Sequence, residues 1–148
     1  CDCVVKGALR RSMVSGVIRA TGYTDNSDGD TMLQRCQRSL AAGYPLIVFP
    51  EGTRSTPGAG LVFQRGAANI AVRCEADLLP VVITCNPPTL LKGDPWYRIP
   101  ARRPAFVVEI LPPLARHTLT DPEATPSLAT RQLNRQLLAV YQEKLSHA

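Results

Sequence analysis

Short apolar runs alternate with stretches of helical period along this 148-residue chain, and that alternation restricts its fold more than any other feature. Residues 2–5, 46–49, 79–84 and 106–111 read as strands, the second and third of them entered by Pro45 and Pro80. Leu9, Met13, Val17 and Ile18 recur at helical spacing among Arg10, Arg11 and Arg19, which describes a basic amphipathic helix weakened by Gly16. Residues 23–30 follow as a polar turn. Residues 31–42 form a second helix, capped by Asp30, ended by Gly43, with Leu33, Cys36 and Leu40 on one face. Residues 64–75 repeat the pattern through Ala67, Ile70, Ala71 and Cys74. Residues 127–147 form a long helix that turns Leu133, Leu137, Leu138, Tyr141 and Leu145 inward. Strands alternating with helices imply an α/β layered fold, with a central mostly parallel or mixed sheet flanked by helices. No repeat or second domain interrupts the pattern, so residues 1–148 read as a single domain.

Composition excludes several classes. An apolar content of 45% is enough to build a core. No run reaches the ~18 apolar residues that span a bilayer. The longest uncharged stretch, residues 78–91, holds three prolines and is not one helix. A formal charge of +5 fits an anionic partner. Of the two such partners, nucleic acid and an acidic membrane surface, nucleic acid is the weaker reading and is not expected, because aromatic content is 5% and no recognition motif appears. Five cysteines without a Cys-x-x-Cys pair suggest buried thiols in a reducing, cytoplasmic setting, with Cys36 and Cys74 on apolar helix faces. Asp25, Asp28 and Asp30 lack the spacing and distal Glu of a calcium loop, so no metal is expected.

The candidate site follows the second strand: Phe49-Pro50-Glu51-Gly52-Thr53-Arg54-Ser55, opening into the Gly/Pro-rich stretch 56–60. The guanidinium of Arg54 is a permanent cation whose planar fork suits phosphate. Gly52 lets backbone approach a ligand, and Thr53 and Ser55 add hydroxyl donors. Glu51 can hold Arg54 in one orientation or accept a hydrogen bond from an alcohol. Lys6 is a second candidate cation for the same anion, its alternative being an ordinary surface lysine. Arg54 has its own alternative, a staple that pairs with Glu51 or a carbonyl. Arg65 opens a helix, where a cation is unfavourable without an anion nearby. Trp96, Tyr97, Arg98, Arg102 and Arg103 mix amphipathic rings with cations, as at a lipid–water interface or as a loop in which Trp96 covers the core. P-loop, dinucleotide and Gly-x-Ser-x-Gly patterns are absent.

The heptapeptide 49–55 resembles the third sequence block of the glycerolipid acyltransferases. Phe63-Gln64-Arg65-Gly66-Ala67 is similar to that family's Phe-Lys-x-Gly-Ala element, and Leu79-Pro80-Val81-Val82-Ile83 resembles its fourth block. Lys6 stands where the family often carries a lysine. The resemblance covers residues 6–83 and weakens beyond. It implies transfer of a fatty acyl group from acyl-CoA or acyl carrier protein to the hydroxyl of lysophosphatidic acid or a related lysoglycerolipid, in phospholipid biosynthesis. It also implies an acceptor site of Glu51, Gly52, Thr53, Arg54, Ser55 and Lys6, no cofactor beyond the thioester donor, and a peripheral or monotopic place on an anionic, cytoplasmic membrane face. Asn26, in Tyr23-Thr24-Asp25-Asn26, stands where the second block carries arginine. The first block, Asn-His-x₄-Asp with the catalytic pair, is matched by neither His117 nor His147. The chain therefore reads as an N-terminally truncated, acceptor-binding half with no catalytic residue of its own, inactive in isolation. The rival reading is a catalytically silent lipid- or anion-binding module of the same fold.

Overall fold

The computed structural model describes residues 1–7, 15–26, 28–54, 56, 58–95 and 97–146, without the side chain of Arg19. Expectations that fall on Leu9, Arg10, Arg11, Met13, Ser55, Trp96 and His147 lie outside the described residues. The elements run β1 (Asp2–Val5), α1 (Ser15–Thr21), β2 (Thr24–Asp25), α2 (Gly29–Ala41), β3 (Leu46–Ile47), α3 (Gly66–Arg73), β4 (Val81–Asn86), β5 (Ala105–Ile110), α4 (Arg116–Leu119) and α5 (Pro126–Ser146). Among the described residues no helix is long and apolar enough to cross a membrane.

Strands and helices alternate as far as β4, after which β5 follows directly, and the described strands form two sheets. β2, β1 and β3 are parallel, with β1 in the middle. β4 and β5 form a separate antiparallel pair, Val81 opposite Ile110 through Asn86 opposite Ala105. The order 2-1-3 sends the chain from β1 to one neighbour and then back across to the other. Parallel sheets reverse strand order at such a point, and the crevice at their carboxyl ends is where ligands bind. The Tyr141 hydroxyl of α5 accepts from the Val81 N–H and donates to the Val81 carbonyl, both at 3.1 Å. That side chain satisfies backbone groups that β4 does not spend on β5.

Helix ends follow local chemistry. Gly43 (φ +82) closes α2: its N–H reaches the Leu40 carbonyl, and the Tyr44 N–H reaches that of Ser39, a Schellman ending. The start of α2 corrects the expected cap. Asp28, extended at φ −127 and ψ 117, precedes the first turn, and Asp30 lies inside it. Part of the expected turn is thereby helix and part is β2, whose two residues pair only because β1 lies beside them. α5 begins at Pro126, which needs no N–H partner, with the Leu128 N–H donating to the Thr125 hydroxyl at 3.4 Å.

Two clusters make the core. Met32, Cys36 and Ile70 pack with Val4, Leu46, Val48 and Cys74, joining α2 and α3 to the parallel sheet. Ala68, Ala71 and Leu133 pack with Leu78 and Leu119, joining α3 to α5 and α4. Small residues on α3 permit that close approach. Two expectations fail on exposure. Residues 46–49 are not a buried strand: only Leu46–Ile47 pair, and Ile47 and Phe49 stand 45% and 62% exposed at a sheet margin. Leu145 is exposed near the end of α5, whereas on α2 the expected Leu33 does pack against the cluster around Cys36, with Leu40 half-buried and Met32 and Ser39 buried beside them. Helix α4 has no counterpart in the sequence pattern.

Candidate acceptor site and its relatives

Lys6 leaves the carboxyl end of β1, and residues 48–54 leave that of β3. The register pairs Cys3 with Ile47, so its continuation sets Lys6 level with Pro50. On the other side Val5 pairs with Asp25, which sets Lys6 level with Asn26. The fold thus brings Lys6 and the Glu51–Arg54 segment to one edge of the parallel sheet, across its point of reversal. Residues forty-odd positions apart in sequence become neighbours by topology alone.

The loop is closed at its base. The Gln64 N–H donates to the Pro50 carbonyl at 2.7 Å, and the Gly52 N–H donates to that of Phe49 at 3.1 Å. Gly52 adopts φ +64, a left-handed conformation in which a side chain is strained, and a Cβ there would stand 3.3 Å from Gln64 Cγ. Phe63 is buried and meets the Tyr141 ring edge-on, centroids 5.1 Å apart. Burial pushes the Tyr141 pKa up, the Val81 backbone contact opposes this, and the Glu51 carboxylate raises it further. Glu51 is half-buried and electrostatically linked to α5. Gly52, Thr53 and Arg54 are exposed.

Arg54 Nη1 donates to the Leu90 carbonyl at 2.8 Å. The staple anticipated for Arg54 therefore exists, with a carbonyl as partner. A guanidinium carries five N–H donors, so this one bond leaves the fork able to receive an anion. Lys6 is exposed and projects from the turn after β1. Asn26 holds that turn from both sides: its N–H donates to the Val5 carbonyl at 3.1 Å, and its Oδ1 accepts from the Gly7 N–H at 2.9 Å. The residue standing in place of an arginine thus fixes the backbone around Lys6.

Sequence reasoning missed the Leu90 carbonyl and the Phe63–Tyr141 contact. Leu90 sits at φ +56, which nothing local announces. Tyr141 was legible as an inward-facing helix residue, with no sign of its partner. His117 lies in α4, which packs against α5.

A family model described as acyltransferase matches residues 4–84. The chain is 31% identical over 112 residues to 1-acyl-sn-glycerol-3-phosphate acyltransferase alpha of Mus musculus, covering 76% of this chain and 38% of that protein. It is 31% identical over 84 residues to 1-acyl-sn-glycerol-3-phosphate acyltransferase of Helicobacter pylori, covering 56% of this chain and 35% of the relative. The chain thus spans about two-fifths or less of these relatives' lengths. The crystal structure of the 1-acyl-sn-glycerophosphate acyltransferase PlsC from Thermotoga maritima superposes with a TM-score of 0.52 at 22% identity, over 95% of this chain and 56% of that one. At that identity the likeness shows the shared fold.

Proposed function

This chain belongs to the glycerolipid acyltransferase family, and from that premise we propose that it forms the acceptor-binding part of an enzyme acylating lysophosphatidic acid or a related lysoglycerolipid. The observation that supports this reading best is the strand register, whose continuation sets Lys6 level with Pro50, at the base of the loop that carries Arg54. A phosphate monoester there would meet one point charge and one bidentate fork. Glu51, half-buried beside them, accepts a hydrogen bond from the glycerol portion and orients it.

Fixing the phosphate fixes the acceptor hydroxyl at a set distance from it, which is the positioning contribution to rate. The hydroxyl oxygen attacks the thioester carbonyl of acyl-CoA or acyl carrier protein. The new C–O ester bond forms, the C–S bond breaks, and the thiol leaves with a proton. A general base receives the hydroxyl proton, a service worth roughly 10²–10⁴ in rate. The resemblance assigns that role to the histidine of the Asn-His-x₄-Asp block, which no residue of this chain supplies. This chemistry needs no metal or cofactor besides the donor. Lysolipid substrates sit in bilayers, and Tyr97 and Ile99 stand 69% and 89% exposed beside Arg98, Arg102 and Arg103. We assign that segment to peripheral contact with an anionic, cytoplasmic membrane face.

Arg54→Ala in the full-length protein tests the acceptor site. Losing a charge-assisted phosphate contact costs on the order of 1.5–3 kcal/mol, so the KM for lysophosphatidic acid rises roughly 10–150-fold. Arg54→Lys recovers part of the loss. An unchanged acceptor KM and kcat/KM would leave Arg54 only its contact with Leu90.

A further inference from the structure

A cleft of about 290 Å³ opens where the start of α3 meets the start of α5. Arg65, Gly66 and Asn69 form one wall, and Ser127, Thr130 and Arg131 form the other. The lining side chains are all polar, two of them are permanent cations, and none is acidic. Neither guanidinium has a hydrogen-bond or ion-pair partner among the described residues. Two arginines that share a small cleft repel one another, and no acidic side chain is among the residues that line it. Neither helix carries an acidic residue in its first turn, where one would be favourable. Arg65 is instead the N-cap of α3. The pair is 66 positions apart in sequence and comes together only through the packing of Ala68 and Ala71 on Leu133.

We propose that this cleft binds a phosphate group of the acyl donor, at a site separate from the one that takes the acceptor's phosphate. The identity of the ligand as a donor rests on the acyltransferase reading; the anionic character of the site does not. Acyl-CoA and acyl carrier protein both present their thioester on a phosphopantetheine arm, so either donor brings at least one phosphate. The arm is long and flexible, which lets its phosphate bind apart from the reacting carbonyl. Arg65 directly follows Gln64, whose N–H closes the acceptor loop on Pro50. The donor cleft therefore borders the acceptor loop without sharing its cations. Arg54 and Lys6 hold one phosphorylated substrate, and Arg65 and Arg131 hold the other.

The experiment measures binding of CoA, dephospho-CoA and 4′-phosphopantetheine to the full-length protein by calorimetry, alongside steady-state KM values for donor and acceptor. Arg65→Gln and Arg131→Gln each weaken CoA by roughly tenfold, raise the donor KM, and leave the KM for lysophosphatidic acid within about twofold. Both positions are exposed, so thermal unfolding of the variants stays near that of the parent, and Arg131→Lys recovers part of the binding. If dephospho-CoA binds the parent as weakly as CoA binds Arg131→Gln, the 3′-phosphate of CoA occupies the cleft. If 4′-phosphopantetheine itself loses affinity in the variants, the arm phosphate common to both donors does. Variants that bind all three compounds as the parent does overturn the proposal. Loss of phosphate binding in the variants of a protein that acylates no lysolipid would uphold the anion site and refute the acyltransferase reading.

Discussion

Ala68, Ala71 and Leu133 meet with almost no exposed surface, whereas Phe49, Thr53 and Arg54, which precede α3 by a short loop, stand in solvent. The first region is a helix pair held by apolar area and close packing. The second is a loop whose base is closed by backbone hydrogen bonds from Gln64 and Gly52 and whose Arg54 donates to the Leu90 carbonyl. The two adjacent segments thus hold their shape by different physics. The packed region tolerates no missing volume. On the proposed reading of the site, the loop can lose a side chain with little effect on folding and a large effect on acceptor binding.

The strongest test of this contrast is Leu133→Ala. Leu133 is fully buried, and truncating it costs about 2–5 kcal/mol by lost transfer energy and the cavity left behind. The denaturant midpoint falls, and among molecules that remain folded the preference for a phosphorylated over an unphosphorylated acceptor is kept. A change in that preference comparable to the one from Arg54→Ala would show that the two regions are not separable.

A smaller effect sharpens the buried side. Burial, with a lesser contribution from Cys74, raises the Cys36 thiol from 9.0 to about 11. The neutral thiol is the form the folded state favours. Its contribution is complete below the unfolded value near 9 and is lost as pH rises toward 11. Unfolding measured at about pH 8 and about pH 10.5 shows a loss of stability that Cys36→Ala reduces. An identical pH slope in both proteins would place Cys36 in contact with solvent.

The smallest effect probes the loop. Gly52→Ala places a Cβ at φ +64 and 3.3 Å from Gln64 Cγ, at a cost of about 1 kcal/mol. The melting temperature moves by only a few degrees. The acceptor KM rises, because Thr53 and Arg54 follow the displaced backbone. A variant with normal acceptor KM would show that the loop adapts around Gly52 and that its turn does not set the position of Arg54.

The sequence made some parts legible and hid others for identifiable reasons. The apolar periods of α2, α3 and α5 are local properties, and the glycine that ends α2 acts within its own turn, so these could be read directly. β2 and β3 have two residues each, too few for a period, and form only because β1 offers backbone partners on both edges. Exposure of Ile47 and Phe49 could not be inferred from their hydrophobicity, since apolarity states a preference for burial while the neighbouring elements decide whether a cover exists. The site loop was recognisable because Gly52, Thr53 and Arg54 lie together in sequence. Its supports were hidden because Leu90 acts through a carbonyl that every residue has.

By itself the sequence determined an alternating α/β chain, the positions of its longer helices, and a polar loop bearing Arg54 after a short strand. Periodicity and turn chemistry act over a few residues, so they are written where they operate. Tertiary structure decided that β4 and β5 pair apart from the parallel sheet, that Lys6 comes level with Pro50, and that Arg54 meets the Leu90 carbonyl. It also decided that Arg65 and Arg131 line one cleft. These outcomes depend on which distant segments bury surface and satisfy backbone groups together, and no local stretch of sequence carries that sum.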